Sequence, residues 1–144
     1  MRLAFYKAKY GNWWDKIISW WTWGPYSHCE LVFSDGEAFS ASPRDGGTRF
    51  KAIEFVPERW DFIEVEVRDE NELREWCKTQ DGRKYDWLGI LGFIFSIRRL
   101  DDKDKWYCSE ICFHALSKFN SSLPRINHRR FDPNRLYAYF VGKK

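Results

Sequence analysis

The chain lacks a run long enough to cross a membrane: its longest apolar stretch, Trp87 to Ile97, is about half of the roughly 20 residues a spanning helix needs. It lacks a secretory opening, because Met1-Arg2-Leu3-Ala4-Phe5 turns polar at once, so no signal peptide is expected and a cytoplasmic or virion-associated location is the expectation. It lacks charge of one sign. Lys plus Arg is 24 against 21 for Asp plus Glu, a formal +3, too little to imply nucleic acid. A Gly-rich phosphate loop and a Ser nucleophile elbow are missing, which argues against phosphoryl-transfer and serine-hydrolase chemistry. Repeats, low-complexity tracts and linkers are missing too, so residues 1–144 read as one domain. Four Cys in such a chain read as free thiols rather than a disulfide framework.

Aromatics, by contrast, are abundant. They make up 19% of the chain, with nine Trp, and 44% hydrophobic against 31% charged residues is a globular balance. Arg2 to Lys7 reads as a strand. Asn12 to Thr22 carries Trp13, Trp14, Ile17, Ile18 and Trp21 at helical spacing, and Gly24-Pro25 ends it. Ser27 to Phe33 alternates, with His28, Glu30 and Val32 on one face and Cys29, Leu31 and Phe33 on the other. Asp35-Gly36 predicts a hairpin to Glu37–Ala41. Further strands are expected at Thr48–Phe55 and Asp61–Arg68. Asp69 with Glu72 has capping-box spacing before a helix buried along Leu73, Trp76, Cys77 and Gln80. A mostly apolar helix is expected from Asp86 to about Ile97, and a solvated loop over Asp101–Lys105. A helix starting near Cys108 turns Ile111, Cys112, Ala115, Leu116 and Phe119 inward, and Leu123-Pro124 stops it. Asp132-Pro133 opens a last short element. Strands first and helices later predict an α+β fold with a small, mainly antiparallel sheet packed against helices.

A nucleophilic Cys needs its thiolate, and a helix N-terminus stabilises that anion. Cys108 alone sits at a predicted helix start. A thiolate also needs an imidazole to hold its proton. His114 falls on nearly the opposite side of the same helix, and His128 lies beside Arg129 and Arg130. His28, on a strand entering the core, is the remaining choice. Cys108, Cys112 and His114 match no tetrahedral zinc spacing, so neither metal nor cofactor is expected.

Tyr26-Ser27-His28-Cys29-Glu30-Leu31-Val32-Phe33 resembles the His strand of the NlpC-type papain-like superfamily. Trp106-Tyr107-Cys108-Ser109-Glu110 resembles its Cys-helix start, and Gly82-Arg83-Lys84-Tyr85-Asp86-Trp87 resembles the stretch before its internal helix. Here His28 precedes Cys108, the order of the circularly permuted branch, which includes YiiX/YaeF-like and lecithin:retinol acyltransferase-like proteins. With its Ser42-Pro43-Arg44-Asp45-Gly46-Gly47 turn the chain most resembles small phage-encoded members, for which a host cytoplasm or a virion would be the setting. The resemblance covers about residues 1 to 140. It implies a permuted papain-like fold and a thiol hydrolase (cysteine peptidase or amidase) in which Cys108 forms a thioester and His28 moves the proton. The backbone N–H of Cys108 would be one oxyanion donor, with Tyr26, Tyr85 and Tyr107 candidates for another.

The same resemblance implies a third polar residue that orients the imidazole, about twelve positions after the His. Counting from His28 gives Ser40. A hydroxyl can accept from the ring but brings no charge. Glu30 competes, though about 6.6 Å along the strand looks long for direct contact. A two-residue Asp35-Gly36 loop would pair Leu31 with Ser40 on the wrong face; a three-residue loop would bring Ser40 to the His28 face. Glu30, Tyr107 and Glu110 are the substrate-side candidates, with Glu110 alternatively capping free helix N–H groups. Arg44 with Asp45 reads either as a surface turn pair or as a cleft border. The Trp cluster from Trp13 to Trp23 reads either as core and rim packing or as an aromatic surface for a lipid or glycan. Asp15 and Lys16 give that helix little cationic character. The expected partner is a peptide or acyl substrate, with cell-wall peptide suggested by family analogy. A lipid acyl hydrolase or acyltransferase would use the same pair. A catalytically retired module binding a host protein is the rival, favoured by the uncharged Ser40.

Overall fold

Five strands pair antiparallel throughout in the computed structural model, which describes residues 1–85, 106–123 and 131–142. They are β1 (Arg2–Lys7), β2 (Tyr26–Val32), β3 (Glu37–Ser42), β4 (Gly47–Ala52) and β5 (Trp60–Glu64), in the spatial order β4-β3-β2-β1-β5. Four helices accompany them: α1 (Trp13–Trp21), α2 (Glu70–Gln80), α3 (Cys108–Phe119) and α4 (Pro133–Val141). The fold is thus α+β with an antiparallel sheet. The helix expected from Asp86, the loop over Asp101–Lys105, the Pro124 stop and His128 lie outside the described residues.

Alternation along the strands divides the apolar residues between two faces. Leu3, Phe5, Cys29, Leu31, Phe33, Phe39 and Ala41 form the main core with Leu73, Ile111, Cys112, Phe113, Leu116 and Leu136. Ala4, Val32, Ala38 and Trp60 form a smaller cluster on the other face, flanked by Tyr6, Ile53, Phe55 and Phe62. α3 packs on β2 and β3, and α1 and α4 pack on β2, so β2 is the most enclosed strand.

Local chemistry sets the ends of the helices. Asn12 accepts from Trp14 N and Asp15 N while Asp15 returns a bond to Asn12 N, a complete capping box. Asp69 accepts from Asn71 N and Glu72 N, but Glu72 pairs with Arg68 at 3.1 Å, so the reciprocal half expected there is spent elsewhere. Asp132 caps α4, with Pro133 opening the helix.

The β2–β3 loop holds three residues, Ser34 to Gly36. Phe33 N donates to Glu37 O at 2.9 Å and Gly36 takes φ 92°, a conformation that favours glycine. This sets Leu31 opposite Phe39 and Val32 opposite Ala38. A second glycine turn carries the chain from β3 to β4. A Cβ on Gly47 would lie 1.9 Å from Arg83 O. That close approach lets Thr48 N bond Arg83 O at 2.9 Å and Tyr85 N bond Gly46 O. Tyr85 in turn bridges Trp106, two residues before α3 begins.

Of the two readings of the Trp cluster, α1 takes the exposed one. The one buried residue of the helix is Asp15, and Trp13, Trp14 and Trp20 are 60%, 51% and 73% exposed. The capping box explains the rotation. Asp15 must face the helix start and the adjoining Ser27, whose hydroxyl donates to it at 2.8 Å, and this turns the indoles outward.

Candidate active site

The N-terminus of α3 meets the sheet where β2 and β3 part. Their ladder pairs only Leu31 with Phe39 and Val32 with Ala38, and toward Tyr26 the helix end takes the place of strand pairing. Cys112, one turn into α3, lies 3.9 Å from Cys29 O. Cys108, in the first turn, lies close enough to His28 and to Cys29 for each to shift its ionisation. The structure therefore brings Cys108 and His28 together.

The imidazole is held from its far side. His28 Nε2 lies 2.7 Å from Glu30 Oε1, which leaves Nδ1 as the ring nitrogen available to the sulfur. Both side chains leave the same face of β2 and lean together, so the gap between their Cα atoms does not prevent contact. Glu30 is 1% exposed and is gripped by Arg49 through two parallel bonds, Nη2–Oε1 at 2.6 Å and Nη1–Oε2 at 2.8 Å. Bidentate pairing of this kind fixes both angle and distance. Asp45 then accepts from Arg49 Nε at 2.7 Å and from Lys51 Nζ at 2.9 Å. A continuous polar chain runs Cys108–His28–Glu30–Arg49–Asp45–Lys51.

Charge along that chain is arranged in favour of a thiolate. Hydrogen bonding from Cys29 opposes the burial penalty, and with the nearby imidazolium it holds the Cys108 thiol well below its ordinary range. Burial works against protonation of His28, but the Cys108 and Glu30 charges outweigh it and lift the imidazole to about 10. Burial likewise works against ionisation of Glu30, and Arg49 and His28 overcome it, keeping the carboxyl low. Cys29 is the opposite case: burial and its donated hydrogen bonds push its thiol up. Cys77 is pushed up as well, chiefly by burial. Tyr107, the N-cap residue of α3, supplies no side-chain cap, whereas α1, α2 and α4 each begin with one. Cys108 is the first residue of α3, so its sulfur lies at the partial positive end of that helix.

The other expected residues take different places. Ser40 does not supply the ring contact. Its hydroxyl donates to Cys29 O at 2.7 Å and lies 3.9 Å from Cys112 Sγ, and the oxygen bonded to His28 Nε2 belongs to Glu30. The three-residue loop does bring Ser40 to the expected row: it pairs directly with Arg49, and it follows Phe39, the partner of Leu31, at the point where β2 and β3 part. A small residue there lets Arg49 cross from β4 to β2, about 9.6 Å away. Glu110 is 1% exposed, too enclosed to border an entrance. Tyr107 is buried beside the thiol. Arg44 and Asp45 are not partners: Arg44 binds Asp15, and Asp45 binds Arg49 and Lys51. His114 lies 5.3 Å from each of the Trp76 and Trp106 rings.

Sequence reasoning passed over Arg49. The signal was there, because a carboxylate on a predicted core strand needs a cation. The next strands offered two, Arg49 and Lys51. No family model matches the chain, and no curated protein or solved structure matches it.

Proposed function

We propose that the protein is a cysteine hydrolase of permuted papain-like type that acts on an acyl group through a Cys108 thioester. The contact chain Cys108–His28–Glu30 carries this reading. The Cys108 thiolate attacks the substrate carbonyl, and the Cys108 N–H at the uncapped helix start donates to the developing oxyanion. The C–N bond of an amide then breaks, and the amine leaves with the proton from His28 Nδ1. Water attacks the thioester, His28 takes its proton, and the carboxylic acid departs as the thiolate returns. Glu30 keeps the ring oriented and stabilises its charge. A retired module was favoured by an uncharged third residue, and the Glu30 carboxylate removes that ground. An amide, with cell-wall peptide first among substrates, remains the reading that the resemblance supports.

Iodoacetamide labelling followed by peptide mapping tests it. Cys108 should be alkylated at pH 6 well before Cys29, Cys77 and Cys112. Hydrolysis should fall on the acid side as Cys108 takes a proton. It should fall on the alkaline side as His28, at about 10, loses the proton the leaving group needs. A panel of peptide, lipid and ubiquitin-like acyl probes should label the native chain and not Cys108→Ala. Equal labelling of all four thiols, or full biological effect in Cys108→Ala, refutes the proposal.

A further inference from the structure

Among the described residues, eight large apolar side chains are exposed, and seven of them lie between Tyr10 and Trp23. Trp20 and Trp23 are 73% and 93% open to solvent. Trp13 and Trp14 stack on each other at 3.9 Å. Monomeric proteins seldom expose so continuous an apolar surface without a use for it. Trp23 also holds φ 52°, a left-handed conformation uncommon for any residue but glycine, and its indole stays in solvent there.

Charge around the ridge is one-sided. The only acid from residue 7 to residue 24 is Asp15, which is buried and bound to Ser27 and Arg44. Lys9 and Lys16 remain exposed. Asp15 and Lys16 cancel in the sequence, but in the fold only the lysine faces outward.

We infer that the Tyr10–Trp23 ridge docks the protein onto an anionic lipid bilayer, with its indoles at headgroup level. Two features favour a bilayer over a protein partner. Its large side chains are indole and phenol rings with a single Ile, the composition found at membrane–water interfaces. Its exposed charges are cationic, matching acidic headgroups. Asp15 on the inner face of α1 accepts from Ser27, which ties the ridge to β2. The inference does not depend on the proposed hydrolysis.

The test uses the full chain with phosphatidylcholine vesicles, with and without phosphatidylglycerol. Co-sedimentation and a blue shift of Trp emission are expected, stronger with the anionic lipid. Trp20→Ser with Trp23→Ser should lose most of the binding, and Lys9→Gln and Lys16→Gln should each weaken it roughly fivefold. Far-UV circular dichroism and retained Cys108 alkylation check that the variants are folded. Absence of binding to every vesicle overturns the inference, as does binding unchanged in the double Trp variant. A dimer held together by the ridge and unable to bind vesicles also overturns it, making the surface a contact between copies.

Discussion

Glu30 is the residue on which the site's electrostatics turn. It is buried, its carboxyl is held low by Arg49 and His28, and it contacts both side chains at once. Its stability depends on its neighbour Ser40 being small. We expect Ser40→Leu to block the path of Arg49 and leave a buried carboxylate with one partner fewer, costing about 3–5 kcal/mol. Ser40→Ala removes the bond to Cys29 O and the long contact to Cys112 Sγ, at about 1 kcal/mol. Urea unfolding separates the two costs. The pH dependence of Cys108 alkylation gives a second readout: it should shift in Ser40→Leu and stay put in Ser40→Ala. Equal stability losses would show that the hydroxyl, not the clearance, is what matters at position 40. Residue type and helix position single out Cys108; His28 is reached by elimination and by the resemblance, and the fold brings the two together. The orienting group was legible only as a choice between two. Side-chain reach decides that choice, and sequence spacing measures only the backbone.

At the scale of elements, periodicity located the five strands and α1 to α3, because burial on one face imposes a period of two or 3.6; Pro133–Val141 reads only as a short element of no stated type, and the 3-10 turn Ala8–Tyr10 goes unread. Periodicity left the face of α1 open between core packing and an aromatic surface. Five aromatic or aliphatic residues at helical spacing do not settle it; the one acid, tied to a cap and a strand hydroxyl, decides the rotation. It also ended the strand at Trp60–Glu64 too late, since Val65 and Val67 continue the alternation after pairing with β1 has stopped. Between elements, the Gly46-Gly47 turn has the widest reach. The Gly47 approach to Arg83 ties β4 to Lys84, Tyr85 and Trp106, and so to the start of the helix bearing Cys108. Gly47→Ala should cost about 3 kcal/mol through overpacking. It should also slow Cys108 alkylation, although residue 47 lies outside the site. Normal alkylation in a destabilised variant would separate the tether from the thiol.

Over the whole molecule, the site joins the first third of the chain to the last. The division of apolar residues between the two sheet faces was readable from alternation. Long-range polar ties were not, because a side chain that caps a distant strand leaves no periodic trace. Asn134 is the example. Its amide accepts from Tyr26 N at 2.9 Å and donates to Tyr26 O at 2.8 Å and to Thr22 Oγ1 at 2.7 Å. Gly24 leaves the room, since a Cβ there would meet Asn134 Cγ at 2.3 Å. Asn134→Ala should cost about 2–3 kcal/mol by leaving buried backbone groups unsatisfied. It should speed amide exchange at Tyr26, and exchange in α2 should be unchanged beyond the global loss. Exchange that rises uniformly would mean the amide stabilises the whole and not that junction.

The same staple has a consequence for how the protein is made. A ribosome releases β2 early, but its opening residue finds two of its bonds only when α4 emerges. A nascent product without α4 would hold Cys108 and His28 without the clasp at Tyr26, so the seating of that strand would come in one step with α4 and not gradually along the way.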